Sequence, residues 1–368
     1  MTATIRQAAG SLLIVGLSGT ELTSLERAWL KLIRPAGIIL FRRNIENASQ
    51  ARKLLDDATA LCTEHSFRCA DVEGGTVDRL RDALAPMPSA QAVMRAATNT
   101  KALQLIRRQG ELVARAVKAF GFNTTLAPVL DLALPESAAV MGTRAAAATP
   151  DGVVDYARGF LAGLAAHGVA GCGKHFPGLG GGSLDSHLET PAIHRSWREL
   201  WQEDLVPYRA LSDALPMIMA SHAAYPNTPG KDLPASVSLY WITSVLRKRI
   251  GYRGIVLSDD LEMGGILKFM PIEEAAIASI RAGIDLLEVC HSPELIMRAY
   301  EALISEGERS AAFRRLLLER ARSTARQRAR MFAKVASKAL SAKQFEALRD
   351  KIVRFGGTIR NAQEAKPA

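Results

Sequence analysis

Eight short apolar runs punctuate the chain, each followed by a polar or glycine-rich break. They occupy 12–17 (LLIVGL), 37–41 (GIILF), 67–72 (FRCADV), 124–130 (TTLAPVL), 168–176 (GVAGCGKHF), 216–222 (PMIMASH), 254–260 (GIVLSDD) and 285–290 (DLLEVC). Between them lie longer amphipathic stretches, among them 48–65, 100–120, 151–167 and 238–250. Short, nearly continuous apolar runs alternating with helical periodicity predict a parallel sheet covered on both faces. Eight is the number at which such a sheet closes, so the pattern predicts an α/β fold of the (β/α)8 TIM-barrel type. The pattern predicts a single barrel domain over 1–308, followed by a basic helical C-terminal extension over 309–368.

In this fold, ligands meet the C-terminal ends of the strands. Here those ends are repeatedly polar. The second run meets Arg42, Arg43 and Asn44, the third Asp71 and Glu73, the fourth Asp131. The fifth ends at Lys174 and His175, the sixth at Ser221 and His222, the seventh at Asp259 and Asp260. Charged side chains abutting apolar strands are costly to bury unless paired. Six such ends predict a polar pocket for a small, hydroxyl-rich ligand.

Composition adds limits. The chain has 368 residues, 48% hydrophobic and 23% charged, as a soluble globular protein does. No apolar run approaches the roughly 20 residues of a membrane helix, so no integral membrane association is expected and the cytoplasm is the expected location. Cys62, Cys69, Cys172 and Cys290 form no CxxC pair and read as reduced core thiols. The net charge of +10 is concentrated at one end: from Arg309 onward there are sixteen Lys/Arg against four Asp/Glu, leaving 31 against 33 before it. Such a tail could recruit an acidic partner, or be a solvated helix packed on the body. It lacks the interleaved aromatics of a base-stacking surface, and no nucleic-acid partner is expected.

Two stretches carry candidate chemistry. In IVLSDDLEM, alternation along a strand sends Asp259 and Asp260 to opposite sides. One then faces the pocket, while the other caps the next helix or braces the wall. From spacing alone, an N-cap aspartate and a catalytic carboxylate are equally consistent. In KHFPGLGGGSLDSH (174–187) the lysine precedes the glycines, the wrong order for a phosphate loop. His175 lies too far from Asp185 and His187 for a local metal site, so no metal or cofactor is expected. Asp185 and His187 can touch across one residue, and the carboxylate would then orient the imidazole and favour its protonated form. The intervening glycines would let this arm swing over the pocket.

KHFPG, DSH and SDDLEM together resemble the family 3 glycoside hydrolases, in particular the bacterial cytoplasmic β-N-acetylglucosaminidases of peptidoglycan recycling. GIILFRRN (37–44), DVEGGTVDRL (71–80), LAPVLDL (126–132), MASHAAYP (219–226) and PASVS (234–238) match in the same order. The resemblance implies a (β/α)8 barrel that removes terminal β-linked N-acetylglucosamine with retention. Asp259 would be the nucleophile, and His187 with Asp185 the acid/base dyad. Asp71, Arg79, Arg144, Lys174 and His175 would hold the sugar. The expected partner is a small carbohydrate, such as a peptidoglycan fragment, and the chain is expected to be a monomer. Leu179 stands where the family commonly has a second histidine, Thr76 where it has arginine, and Ala145 follows Arg144 where serine is usual. Phosphorolysis of the same glycosides, a non-catalytic sugar-binding scaffold, and a Schiff-base enzyme using Lys174 are the alternatives.

Overall fold

The computed structural model describes residues 4–97, 102–182, 190–333 and 339–364. Its strands are β1 (Leu13–Gly16), β2 (Gly37–Ile39), β3 (Phe67–Ala70), β4 (Val72–Gly74), β5 (Val77–Asp78), β6 (Thr124–Thr125), β7 (Ala170–Phe176), β8 (Met217–Ala220), β9 (Ile255–Asp260) and β10 (Leu286–Val289). Eight of them, all but β4 and β5, close into one parallel barrel in chain order, with β10 returning to β1. Each apolar run of the sequence contains one barrel strand. The predicted (β/α)8 class is therefore the observed one.

Alternation along the strands separates two apolar layers. Ile14, Cys69, Cys172, Met219 and Leu257 point into the barrel, while their neighbours Val15, Ala70, Ile218 and Val256 meet the surrounding helices. All four cysteines are free and buried. The amphipathic stretches become helices over Ala48–Thr59, Ala102–Ala119 and Pro150–Ala165, and a π-helix over Tyr240–Ile250.

β4 and β5 form an antiparallel hairpin directly after β3, beyond the C-terminal end of that strand. Gly74, the last residue of β4 before the turn, has φ +96°, and a Cβ there would lie 2.2 Å from the Pro88 carbonyl oxygen. Only glycine accommodates both the left-handed backbone and that contact.

The basic extension packs against the barrel. Phe313, Leu317, Ala321, Thr324, Arg328 and Phe332 form a buried stripe along the helix Ala311–Phe332. Its last ring enters the N-terminal mouth of the barrel and meets Phe67 edge-on at 5.2 Å. Arg328, 2% exposed, donates to the Ala36 carbonyl and to the Thr63 hydroxyl. Burial lowers its guanidinium pKa to about 10. Arg320 reaches Asp285 at 2.9 Å. The helix Ala342–Glu364 buries Leu348, Ile352, Phe355 and Ile359. The opposite faces of both helices carry the remaining charges to solvent.

Phe332→Ala should open a cavity at the barrel floor and lower the unfolding free energy by about 3 kcal/mol. Urea denaturation checks this; an unchanged midpoint would mean that the ring does not complete the core.

Candidate active site

Asp71, Arg79, Arg144, Lys174, His175 and Asp259 all line one cavity at the C-terminal end of the barrel. Asp185 and His187 lie outside the described residues.

One wall is a network of buried ions. Lys174 Nζ lies 2.9 Å from Asp71 Oδ1 and 2.7 Å from Glu73 Oε1. Arg144 grips Glu73 with two parallel bonds, from Nε at 2.8 Å and Nη2 at 2.9 Å. Arg79 reaches Asp71 at 3.2 Å. Burial alone would raise both carboxyls, but the surrounding cations prevail. Lys174, Arg79 and Arg144 hold Asp71 well below the usual range, and Arg144 and Lys174 bring Glu73 down to about 2. Lys174 is raised in return: burial opposes its charge, but Asp71 and Glu73 outweigh it. Every charge in this wall is paired, as burial demands.

His175 continues the wall. Its Nδ1 lies 2.7 Å from Asp131 Oδ2. The other oxygen of Asp131 accepts from the Leu179 amide at 2.7 Å. A single fully buried carboxylate thus orients the imidazole and anchors the start of the glycine-rich arm. Leu179 itself lines the cavity.

Two bulges re-aim the strand ends. Along β7, Gly173 faces Ile218 while Phe176 faces Ala220, so β7 has one residue more than β8 there. The consecutive residues Lys174 and His175 both line the cavity, and the peptide bond between them is cis. Along β9, Leu257 faces Leu286 while Asp260 faces Glu288, again with one extra residue. Strict alternation predicts that Asp259 and Asp260 diverge; instead both border the cavity. An inserted residue breaks the two-residue period, and such bulges recur beside active sites. Asp260 Oδ1 also accepts from the Glu262 amide at 3.0 Å, and burial raises its carboxyl to about 7.

Other polar ends serve as braces. Asn44, fully buried, donates to the carbonyls of Leu17 and Gly19. Arg43 lies over the Phe41 ring and donates to the Leu17 and Cys290 carbonyls. His222 is held between the Ser236 hydroxyl at 2.7 Å and the Asp260 carbonyl at 3.0 Å, and burial lowers its pKa. Conversely, Glu288, Cys290 and His291 border the cavity although the sequence reading gives them no part in it. The signal was the alternation of Leu286, Glu288 and Cys290, which sends all three to the barrel interior.

A polar cavity with paired cations on one side and carboxyls on the other suits a neutral polyol. The profile of the glycosyl hydrolase family 3 N terminal domain matches residues 4–318. The chain belongs to that family. Beta-hexosaminidase of Alkalilimnicola ehrlichii is 40% identical to this family 3 protein over 287 residues, 77% of this chain and 82% of the relative. A family 3 beta-N-acetylglucosaminidase from a Paenibacillus species superposes with a TM-score of 0.85 at 28% identity, covering 96% of this chain and 69% of that one. NagZ from Neisseria gonorrhoeae, solved with N-trifluoroacetyl-D-glucosamine, superposes with a TM-score of 0.78 at 29% identity, covering 95% and 98%.

The paired wall gives this family 3 protein a defined acid response. The Glu73 carboxyl is lowered from 4.5 to about 2, so its stabilisation is complete above pH ~4.5 and is lost as pH falls toward 2. Glu73→Gln leaves Lys174 and Arg144 short of one negative charge. It should cost about 3 kcal/mol at pH 7 and flatten the fall in stability between pH ~4.5 and ~2. Urea unfolding across that range measures both, and an unaltered pH slope would contradict the assignment.

Proposed function

We propose that this family 3 β-N-acetylhexosaminidase removes terminal β-linked N-acetylglucosamine by double displacement through Asp259. A carboxylate oxygen of Asp259 attacks the anomeric carbon as the bond to the leaving oxygen breaks. His187, oriented by Asp185, gives its proton to that oxygen. In the second half, water attacks the same carbon and yields a proton to His187, and Asp259 is released. Atoms balance across the two steps, and the anomeric configuration is retained.

The observation that carries this reading is the meeting of Asp259 with Asp71, Arg79, Arg144, Lys174 and His175 around one cavity. Paired ionic groups can hold sugar hydroxyls at fixed directions, leaving the carboxylate to reach the reacting carbon. The flanks of the Asp185–His187 segment are compatible with delivery to this place. Leu179 lines the cavity before it, and Thr190 donates to the Gly265 carbonyl beyond β9 after it. The substrate class is a peptidoglycan fragment carrying terminal N-acetylglucosamine, such as a GlcNAc–anhydromuramoyl peptide. We assign its turnover to the cytoplasm and to a monomer. Among the described residues no helix is long and apolar enough to cross a membrane.

Asp259→Ala should lower turnover of a nitrophenyl β-N-acetylglucosaminide by about 10³-fold or more, while keeping the fold. Undiminished turnover would remove Asp259 from the nucleophile role. Product analysis with and without phosphate should give free sugar in both; sugar 1-phosphate would mean phosphorolysis instead.

His187→Ala should slow glycosides with alkyl leaving groups by about 10²-fold or more and nitrophenyl glycosides much less, since only the former need the proton. Equal losses on both would exclude the acid/base role.

A further inference from the structure

One carboxyl in the cavity has no role in the reaction above. Glu288 lies on β10, in register with Ile14 on one side and Asp260 on the other. Its inward neighbours along the strand, Leu286 and Cys290, belong to the apolar interior of the barrel. The residue is 2% exposed, yet it lines the cavity. Its Oε1 is buried with no hydrogen-bond partner among the described residues.

The other carboxyls around it are provided for. Asp71 has Lys174 and Arg79, and Asp131 has His175 and the Leu179 amide. Asp260 accepts from the Glu262 amide, and Asp259 from the Asp260 amide. The fold gains nothing evident from a glutamate here. A leucine would continue the interior layer without desolvating a polar group. A buried carboxyl with a free oxygen, bordering a binding cavity, is a group whose partner arrives with the ligand.

Its protonation state decides what it can offer. Burial raises the Glu288 carboxyl well above its ordinary range, and Asp71, Asp259 and Asp260 add to the effect; Lys174 opposes it. That lysine is already shared by Asp71 and Glu73. The shift favours the neutral form of Glu288, which has one O–H to donate and one carbonyl oxygen to accept. A sugar hydroxyl offers both complements. A carboxylic acid kept neutral by an apolar site can serve as a donor at neutral pH.

We propose that Glu288 is a specificity-determining residue on the floor of the sugar subsite, binding one hydroxyl of the hexosamine through its carboxyl. The inference rests on the reading of this cavity as the sugar site. The contact adds a reading position on the side of the barrel opposite the Lys174 network, beside the nucleophile strand.

The test is a cycle between protein and substrate variants in the full chain. Glu288→Leu and Glu288→Gln are compared with the unaltered protein on a nitrophenyl β-N-acetylglucosaminide and its 3-, 4- and 6-deoxy analogues. Glu288→Leu should lower kcat/KM on the parent about tenfold or more. On the one analogue that lacks the contacted hydroxyl, the same change should cost less than about twofold, with the full loss kept on the others. Glu288→Gln, which retains a donor and an acceptor, should recover part of the parent rate. The thermal midpoint of Glu288→Leu should equal or exceed that of the unaltered protein, which separates the effect from unfolding. A Glu288→Leu protein within about twofold on the parent, or an equal loss on every analogue, would overturn the proposal. Calorimetric titration with N-acetylglucosamine and its deoxy forms reads the same cycle without turnover. Retained discrimination without hydrolysis would overturn the proposed chemistry and support the contact; absence of both binding and hydrolysis would overturn both.

Discussion

The ammonium of Lys174 sits between two carboxylates, 2.9 Å from Asp71 and 2.7 Å from Glu73, with its side chain almost closed to solvent. Those three residues come from the end of β7, the end of β3 and the hairpin that follows β3. The triad therefore joins parts of the barrel that backbone hydrogen bonding alone does not fix. Removing either carboxylate would leave the cations around it short of a negative charge in a nearly buried site, which costs far more than the pairing contributes against an apolar alternative. The arrangement is poor as a source of stability and effective as a device for position. Arg144, Arg79 and His175 take their places around it, each bonded to a carboxyl of the same wall or its extension.

Charge is distributed unevenly across the cavity. The Lys174 side holds ionised, paired groups whose geometry is set by mutual attraction. On the β9–β10 side, Asp260 and Glu288 are raised by burial and tend toward the neutral acid. A ligand without net charge meets fixed donors on one face and acids able to donate on the other. That division limits the number of negative charges crowded near Asp259, the group assigned to attack an electron-poor carbon.

Much of this was legible in the sequence because each barrel strand is a nearly unbroken apolar run ending in polar residues. That pattern is what a sheet covered on both faces imposes. The hairpin of β4 and β5 was not legible, since strands of two or three residues carry no period. Nor were the bulges: an extra residue in β7 or β9 is defined only by register against its neighbour. The pairing of Lys174 and His175 on one face, and of Asp259 and Asp260, therefore lay beyond any reading of alternation. Glu288 was overlooked for a different reason. In DLLEVC it reads as one polar letter inside a strand, and its meaning depends on which face of the barrel is closed. The residues proposed to hold the sugar were named through motif resemblance, which does not show the bulges that bring them to one cavity.

The ring of Phe332, at the floor of the barrel, has a consequence for how the molecule is made. Synthesis proceeds from the N-terminus, so all eight strands and every cavity-lining residue exist once position 291 has been added. A chain halted between there and residue 332 would carry the complete set of cavity groups above an unstoppered interior. The floor of the barrel is thus completed by a segment that emerges after every cavity group, and a polypeptide halted before it is marked by an open barrel.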